Sequence, residues 1–287
     1  IMRIPVQHHH AHIVSCLAEN RVKRKVIGVA FDGIGYGADG NIWGGEFLIA
    51  DYSHFSRIAQ LKYVSLPGGD RAVEQPWRMA VSLLMEAFGK KIPRIDFINR
   101  WKEKIPIILG MIEKRINSPL TSSMGRFFDG VSSLLGICDV NTYEGQAAME
   151  LESVAGDLFS SSGNLLVQNY RYEIREEKGT FIVETGWIVR GIVRDLESGA
   201  RPAFIASKFH NSIAEMIKDV SLKIKEKTGI CRVALSGGVF QNRLLLGLTL
   251  RKLTEQGFIC YYQKKIPPND EGISLGQAII ANEIAKK

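Results

Sequence analysis

Cysteine is scarce in this chain, and its few cysteines are far apart. The 287 residues include four cysteines and no Cys-x-x-Cys pair: Cys16, Cys138, Cys231 and Cys260. This spacing argues against a disulfide framework and a zinc knuckle, and it indicates reduced thiols. Apolar runs long enough to cross a bilayer, internal repeats and low-complexity tracts are also missing from the sequence, and we expect no signal peptide. We therefore expect a cytoplasmic protein with no membrane partner.

No segment concentrates charge of one sign. The net charge is +7 and the isoelectric point is about 9.2, which would suit an anionic partner such as a nucleotide or a nucleic acid. The lysines and arginines are scattered, however, with only short clusters at 21–25 and 223–227. This scatter favours a solvated basic surface, so we do not expect a nucleic-acid partner. With 45% hydrophobic and 23% charged residues, the composition excludes wholesale disorder.

Histidines are concentrated at the start of the chain, in the run His8-His9-His10-Ala11-His12. On a helix, His8 and His12 stand at i and i+4, so both rings project from one face and can bind one ion. Imidazole and carboxylate are ligands that zinc and ferrous iron accept in proteins. A surface histidine run or a tag remnant is the alternative, but the run is not uniform and continues into an amphipathic segment. The spacing therefore predicts a divalent metal site.

The order of predicted elements indicates an α/β fold. A helix at 5–20 precedes three strands that form an antiparallel meander, at 25–31, 43–52 and 57–64. Further helices are predicted at 73–88, 94–117, 122–135 and 143–158, followed by a hairpin at 164–193 and a helix at 202–228 that Gly229 closes. The chain then alternates strand and helix, at 231–235, 240–255, 258–263 and 273–285. This is the order of one ribonuclease-H-like half of the actin-type ATPase (ASKHA) fold.

The domain organisation follows from that order. Residues 1–24 are expected to form the metal-binding helix and the end of a first lobe. Residues 25–287 are expected to form the second lobe, with a helical and hairpin insertion at about 90–200. Since the rest of the first lobe has no counterpart in this sequence, we expect the chain to be part of a longer polypeptide or of a split protein.

Chemically informative residues follow the predicted strands. Asp32 ends the first strand, and Gly237-Gly238 connects a buried strand to a helix, where backbone amides can approach an anion. Asn242, one turn later, could contact a base or a ribose, or could be an ordinary solvated residue. Spacing alone favours a helix-cap role for Asn269 or Asp270, and the functional alternative is that Asp270 ligates the ion held by the histidines.

An acidic residue among aromatic neighbours gives a further candidate. Asp129 lies in the predicted helix at 122–135, next to Phe127 and Phe128. Burying a carboxylate without compensation is costly, so such an acid often has a function. Its alternative position is a solvated helix face.

Eight collinear motifs extend over essentially the whole chain. They begin at Val6, Gly33, Trp43, Leu66, Pro76, Tyr143, Ser236 and Asp270, with the sequences VQHHHAH, GIGYG, WGGEF, LPGGD, PWRM, YEGQAA, SGGVFQN and DEGISLGQ. Together they resemble the C-terminal carbamoyltransferase domain of the HypF family of hydrogenase maturation proteins.

The resemblance implies both site residues and chemistry. His8, His12 and Asp270 would hold the metal, with Asp32 as a further ligand, and the two aspartates would serve catalysis. The adenylate would contact the following residues: Asp129, Gly145, Gly237, Gly238 and Asn242. The family makes carbamoyl-adenylate from ATP and carbamoyl phosphate in a separate upstream domain. The domain resembled here then transfers the carbamoyl group to the C-terminal cysteine of HypE, on the way to the cyanide ligands of nickel-iron hydrogenase.

Two other functions stay open from the sequence. A tRNA threonylcarbamoyl transferase of the TsaD type shares the fold and the histidine pair, and the basic isoelectric point would suit it. A noncatalytic nucleotide-binding assembly subunit is also consistent with half of a cleft. Binding of tRNA with a steep salt dependence would favour the first alternative, whereas carbamoyl transfer from supplied carbamoyl-adenylate would exclude the second.

Overall fold

A mixed β-sheet forms the centre of the molecule. The computed structural model describes residues 3–161 and 168–286. Its strands are β1 (Val26–Tyr36), β2 (Ile42–Ala50), β3 (Phe55–Leu61), β4 (Val64–Ser65), β5 (Leu120–Thr121), β6 (Glu173–Glu177), β7 (Thr180–Glu184), β8 (Arg232–Ser236) and β9 (Ile259–Tyr262). The main sheet has the order β6-β7-β3-β2-β1-β8-β9, and the short strands β4 and β5 attach beside β2.

Helices cover both faces of this sheet. They are α1 (His8–Glu19), α2 (Asp70–Glu74), α3 (Pro76–Phe88), α4 (Asp96–Trp101), α5 (Ile105–Glu113), α6 (Met124–Leu134), α7 (Gln146–Ser161), α8 (Gly186–Glu197), α9 (Pro202–Thr228), α10 (Arg243–Glu255) and α11 (Ile273–Ala285). Short 3-10 turns occur at Gly238–Gln241 and Asp270–Gly272.

The alternation of side chains along β1 separates two apolar layers. Ile27, Val29 and Phe31 point into the main core, which they share with α3, α6 and α9. Val26 and Ala30 point to the opposite face, where α1 covers them. Because successive strand residues face opposite sides, one strand contributes to both layers. Helix α11 packs on the outer side of α1.

The strand pairing confirms the predicted fold class. Strands β1, β2 and β3 form an antiparallel meander, and β8 and β9 add to β1 as parallel strands that are each followed by a helix. The predicted boundary at residue 24 stays a prediction. Across that boundary, α1 packs directly on the sheet. Within the described residues, no helix combines the length and the apolar character needed to cross a bilayer.

Two predicted elements are wrong in detail. The single helix predicted at 94–117 is divided into α4 and α5, because Pro106 starts a new helix and cannot continue the preceding one. The hairpin predicted at 164–193 is present only as β6 and β7, and it extends the central sheet through β3. Residues 186–193 belong to helix α8 instead, and residues 164–167 of the prediction lie outside the described residues.

Candidate metal centre

Helix α1 carries the histidine pair and begins at a side-chain cap. Gln7 Oε1 accepts hydrogen bonds from the backbone N–H groups of His9 at 2.6 Å and His10 at 3.1 Å. This cap satisfies two of the N–H groups that a helix leaves free at its start. One turn apart on this helix, His8 and His12 turn their Nε2 atoms towards each other at a distance of 3.1 Å.

Asp32 lies where β1 departs from regular pairing. The register between β1 and β2 shifts between residues 31 and 35, and such bulges often re-aim a side chain next to an active site. The Gly238 N–H donates to Asp32 Oδ1 at 3.0 Å, and Ser123 Oγ lies 2.9 Å from the Asp32 carbonyl oxygen. Side chain and backbone of Asp32 are therefore both fixed, and its Oδ2 is left for the histidines.

Asp270 reaches the same place from the far end of the chain. It opens the 3-10 turn at Asp270–Gly272, directly before α11. Helix α11 approaches α1 so closely that a Cβ on Gly276 would lie 2.0 Å from the Ala11 carbonyl oxygen. Only glycine permits this contact, which holds the turn beside α1. The Asp270 side chain is 66% exposed, so the cluster is open to solvent on this side.

Together, four side chains place donor atoms within 4.8 Å of one another, and we call them the metal cluster: His8, His12, Asp32 and Asp270. Asp32 Oδ2 lies 3.0 Å from His8 Nε2 and 3.1 Å from His12 Nε2. Asp270 Oδ1 lies 3.4 Å from each of the same two nitrogens. The structure thus brings together all four residues that the sequence proposes as ligands. Metal binding itself stays a prediction.

The carboxylates of the cluster favour a protonated His12. Burial alone would lower the pKa of His12, but hydrogen bonds to Asp270 and Asp32 outweigh burial and raise the pKa of His12 to about 9. Burial alone would raise the pKa of Asp32, but hydrogen bonds from the two histidines and from the Gly238 amide hold it well below its usual range. A metal ion would therefore compete with a proton for this site.

The donor set fits a divalent ion. Donors held about 2.0–2.1 Å from an ion at tetrahedral angles lie about 3.4 Å from one another. The nitrogen–oxygen and nitrogen–nitrogen separations in the metal cluster are 3.0–3.4 Å. Two neutral imidazoles cannot aim lone pairs at each other over 3.1 Å unless a proton or a cation lies between them. Two nitrogens and two carboxylate oxygens are donors that zinc and iron both accept.

The glycine turn supports the cluster rather than offering free amides. The Gly237 N–H donates to the Pro268 carbonyl oxygen at 3.0 Å, while the Gly238 N–H is used by Asp32. Gly237 has a φ of 103°, and a Cβ there would lie 2.1 Å from the Phe31 carbonyl oxygen. Both amides therefore have partners within the chain, and a contact of this turn with the adenylate stays a prediction.

Asn242 is occupied by the fold as well. Its Oδ1 accepts from the Leu245 N–H at 2.8 Å and caps α10, and its Nδ2 lies 2.9 Å from His210 Nε2. His210 is fully buried, and its Nδ1 lies 2.8 Å from the Ala206 carbonyl oxygen. Both polar ends of the Asn242 side chain thus have a partner in the fold, but the amide keeps a second N–H and the carbonyl a second lone pair, so the base or ribose contact stays a prediction.

The other two predicted adenylate contacts differ from each other. Asp129 is 0% exposed within α6, so the solvated-face alternative is wrong, and it is paired with Arg126 instead of facing a cleft directly. Gly145 has a φ of 77° just before α7, and a Cβ there would meet nothing within 4 Å. Its surroundings leave space for a ligand.

Sequence reasoning missed two charged residues near β1. Arg126 is 5% exposed and pairs with Asp129. Glu46 is 0% exposed, and its carboxylate accepts hydrogen bonds from the N–H groups of Gly44 and Gly45 and from the Ser122 hydroxyl. Burial is the main reason why the pKa of Glu46 is raised to about 7. In the sequence, the signal for each residue is a charged side chain within an apolar or glycine-rich segment, which is typical of a buried polar group.

Residues 28–277 match the protein family described as "Carbamoyltransferase, Kae1-like Domain, second subdomain" of HypF. The chain belongs to this family. It is 37% identical over 290 residues to a protein from Synechocystis named Carbamoyltransferase HypF, a match that covers 96% of this chain and 36% of that protein. The predicted family is therefore confirmed.

Two further HypF proteins resemble the chain. A Carbamoyltransferase HypF homolog from Cupriavidus necator is 33% identical over 288 residues, which cover 97% of this chain and 70% of that protein. A crystal structure of full-length HypF "in the phosphate- and nucleotide-bound form" superposes with a TM-score of 0.89 at 43% identity, over 99% of this chain and 36% of that one. The chain thus spans about a third of the length of the full-length HypF proteins it matches.

Proposed function

We propose that this chain is the carbamoyl-transferring part of a HypF-type protein in nickel-iron hydrogenase maturation. Its substrates are carbamoyl-adenylate and the C-terminal cysteine thiol of a HypE-type partner. The observation that carries the proposal is the metal cluster, four donors within 4.8 Å of one another in a chain of the HypF family. Its relatives bear the name carbamoyltransferase, and one was solved with phosphate and nucleotide.

The reaction exchanges an oxygen for a sulfur on the carbamoyl carbon. The acceptor thiol loses its proton and its sulfur bonds to the carbon, while the bond from carbon to the phosphate oxygen breaks and AMP leaves. A divalent ion, zinc or iron, would supply Lewis-acid polarisation of the carbamoyl carbonyl when bound. Its ligands would come from the metal cluster.

The metal cluster is held in a rigid geometry, and its side chains supply no nucleophile. Asp32 is held at both its carboxylate and its carbonyl, and the close contact of α11 with α1 fixes the turn that carries Asp270. Such fixed ligands remove the reorganisation that a flexible site would need at the moment of reaction. The 66% exposure of the Asp270 side chain leaves the cluster open for the partner's cysteine.

Three of the chain's four cysteines are poor candidates for a covalent carrier. Cys16 is 0% exposed, and burial is the main reason why its pKa is strongly raised. Burial also raises the pKa of Cys138 and of Cys260. A thiol attacks only as a thiolate, so these groups are unreactive near neutral pH. The nucleophile is therefore assigned to the partner.

Carbamoyl-adenylate itself would form elsewhere. The full-length relatives are about three times as long as this chain, and we assign adenylate synthesis from ATP and carbamoyl phosphate to the additional length of such proteins. The relatives reported above carry the HypF name, which favours the HypE-type acceptor over a tRNA. Tight, salt-sensitive tRNA binding would instead support the threonylcarbamoyl alternative.

Mass spectrometry of the acceptor tests the proposal. The chain is mixed with carbamoyl-adenylate and a HypE-type protein, and a mass gain of one carbamoyl group on the C-terminal cysteine is expected. Asp270→Asn should abolish the gain, whereas Glu271→Gln, which changes the neighbouring exposed acid, should preserve it.

A cysteine-free variant distinguishes transfer at the metal cluster from transfer through a thiol of this chain. Replacing all four cysteines with serine or alanine should leave transfer largely intact, apart from a packing cost at buried positions. If the cysteine-free variant is inactive while Asp270→Asn transfers normally, the carbamoyl group passes through a thiol of this chain and the proposal is wrong.

A further inference from the structure

Helix α6 buries an ion pair beside the end of β1. Every residue from Met124 to Leu134 is buried, including Arg126 at 5% exposure and Asp129 at 0%. Arg126 Nε lies 2.8 Å from Asp129 Oδ2, although the angles are not those of a hydrogen bond. Asp129 is the only carboxylate within ion-pair distance of Arg126 among residues 3–161 and 168–286. The pair is therefore close but incompletely satisfied.

The guanidinium of Arg126 has N–H donors that the described residues do not use. Its Nε is wholly buried, and no hydrogen bond joins its two Nη atoms to the described residues. Nη2 lies 3.8 Å from the position that a Cβ on Gly33 would take. Gly33 directly follows Asp32, so these donors lie at the strand end that carries the metal cluster.

The position of Arg126 relative to Asp32 is fixed by backbone contacts. Ser123 caps α6 by accepting from the Arg126 N–H, and its Oγ lies within hydrogen-bond distance of the carbonyl oxygens of Asp32 and Gly33. A Cβ on Gly125 would lie 2.9 Å from Gly33 Cα, so the first turn of α6 touches the strand. Arg126 cannot shift away from the strand end without moving this turn.

Burying a guanidinium with free donors is costly unless an acceptor occupies them. The Asp32 carboxylate faces the histidines of α1, whereas Gly33 is contacted by α6, so the two residues face opposite sides of β1. An anion that extends from the cluster across the strand end would therefore contact Arg126. The start of α6 adds a favourable helix dipole for negative charge.

We propose that Arg126 is a substrate-binding residue that contacts the phosphate of the adenylate through its Nη atoms, and that Asp129 is the residue that positions it. This inference rests on the function proposed above. It replaces the expectation that Asp129 itself contacts the adenylate. A carboxylate would repel a phosphate, whereas a guanidinium forms charge-assisted hydrogen bonds with it.

Calorimetry with AMP and adenosine tests the inference, because the two ligands differ only in the phosphate. Arg126→Gln should weaken AMP binding about 10- to 100-fold, the usual loss for a charged hydrogen bond, and leave adenosine binding unchanged. Arg126→Lys should recover part of the AMP affinity. Asp129→Asn should weaken AMP binding less than Arg126→Gln does. Arg175→Gln, at an exposed arginine on β6, is the matched control and should change neither affinity.

The single variant Arg126→Gln leaves Asp129 buried without its partner and could unfold the chain. The double variant Arg126→Gln, Asp129→Asn removes both charges, leaves no buried ion without its partner, and keeps the test decisive. An unchanged ratio of AMP to adenosine affinity in the folded double variant would overturn the inference and leave the proposed function standing. Equal loss of both ligands would also overturn it, because that is a structural effect.

Two outcomes in the wild type separate the inference from the proposed function. If AMP binds through Arg126 but no carbamoyl group reaches the acceptor thiol, the phosphate contact stands and the proposed function fails. If wild type binds neither AMP nor adenosine but carbamoylates the acceptor thiol, the inference is overturned and the proposed function stands.

Discussion

Removing one histidine of the metal cluster should remove most of the stabilisation by metal, whereas removing a nearby histidine outside the cluster should not. His12 and His10 lie on the same helix and are both buried, at 0% and 2% exposure. Only His12 belongs to the metal cluster, because His10 Nε2 lies 2.7 Å from the Asp51 carbonyl oxygen instead. His12→Gln and His10→Gln are therefore a matched pair of similar volume and burial.

The size of the expected stabilisation follows from the thermodynamic linkage between zinc binding and folding. Zinc at 100 times its dissociation constant stabilises the folded chain by about 2.7 kcal/mol, which raises the thermal midpoint by about 5–10 °C for a chain of this size. Loss of one of four donors should weaken binding at least about 100-fold, more than the loss of an outer-shell partner. The same zinc concentration then stabilises His12→Gln by only about 0.4 kcal/mol, or about 1–2 °C.

The assay is a thermal melt of each variant with zinc and with a chelator. Comparing each variant with itself removes any effect of the substitution on the metal-free chain. Wild type and His10→Gln should show the full shift, and His12→Gln should not. A full shift in His12→Gln, or its loss in His10→Gln, would refute the assignment of the ligands.

Three further predictions concern residues around the cluster. Gly35→Ala places a Cβ 2.4 Å from His9 Cε1 and 2.7 Å from His8 Cδ2, so displaced rings should weaken zinc binding about 10- to 100-fold in a titration; unchanged affinity would contradict the packing argument. Burial raises the pKa of Glu46 to about 7, so wild type should lose about 3 kcal/mol of unfolding free energy as pH rises from 4.5 through 7. Urea unfolding at pH 5 and pH 8 should show no such loss for Glu46→Gln. The same pH dependence of the unfolding free energy in wild type and variant would exclude Glu46 as its cause. Burial lowers the pKa of His210 to about 4, so protonation favours the unfolded chain. About 3 kcal/mol of unfolding free energy should therefore be lost as pH falls from 6.5 towards 4. His210→Gln should reduce this loss, and an unchanged pH dependence would assign the loss to other groups.

Local signals in the sequence predicted most of the elements. Helix α9 begins at Pro202 and ends before Gly229, as predicted, because proline fits a first helical turn and glycine adopts the left-handed conformation that ends one. Helix α8 was mistaken for a strand because its segment is rich in β-branched residues. Its buried positions, Ile188, Val189, Ile192 and Val193, follow a helical period that composition alone conceals.

The candidate site depends partly on contacts between residues far apart in the sequence, which local patterns do not predict. The pair His8 and His12 is visible in the sequence because its spacing of four is a property of one helix. The hydrogen bond from the Gly238 amide to Asp32 joins residues 206 positions apart, so no local pattern reveals that this amide is already used. The pairing of Arg126 with Asp129 has a spacing of three on α6, but its burial depends on packing against β1. The functional assignments of Asp129, Asn242 and Gly237 needed the tertiary structure for this reason.

The central claim is that the metal cluster binds one ion and that carbamoyl transfer depends on it. The most direct measurement titrates zinc or ferrous iron into chelator-treated chain and follows carbamoylation of the acceptor cysteine by mass spectrometry, with bound metal measured on the same samples. Transfer should rise in proportion to bound metal, level off at about one ion per chain as expected for a single four-donor site, and stay absent in Asp270→Asn. Full transfer by chain that holds no metal would contradict the account.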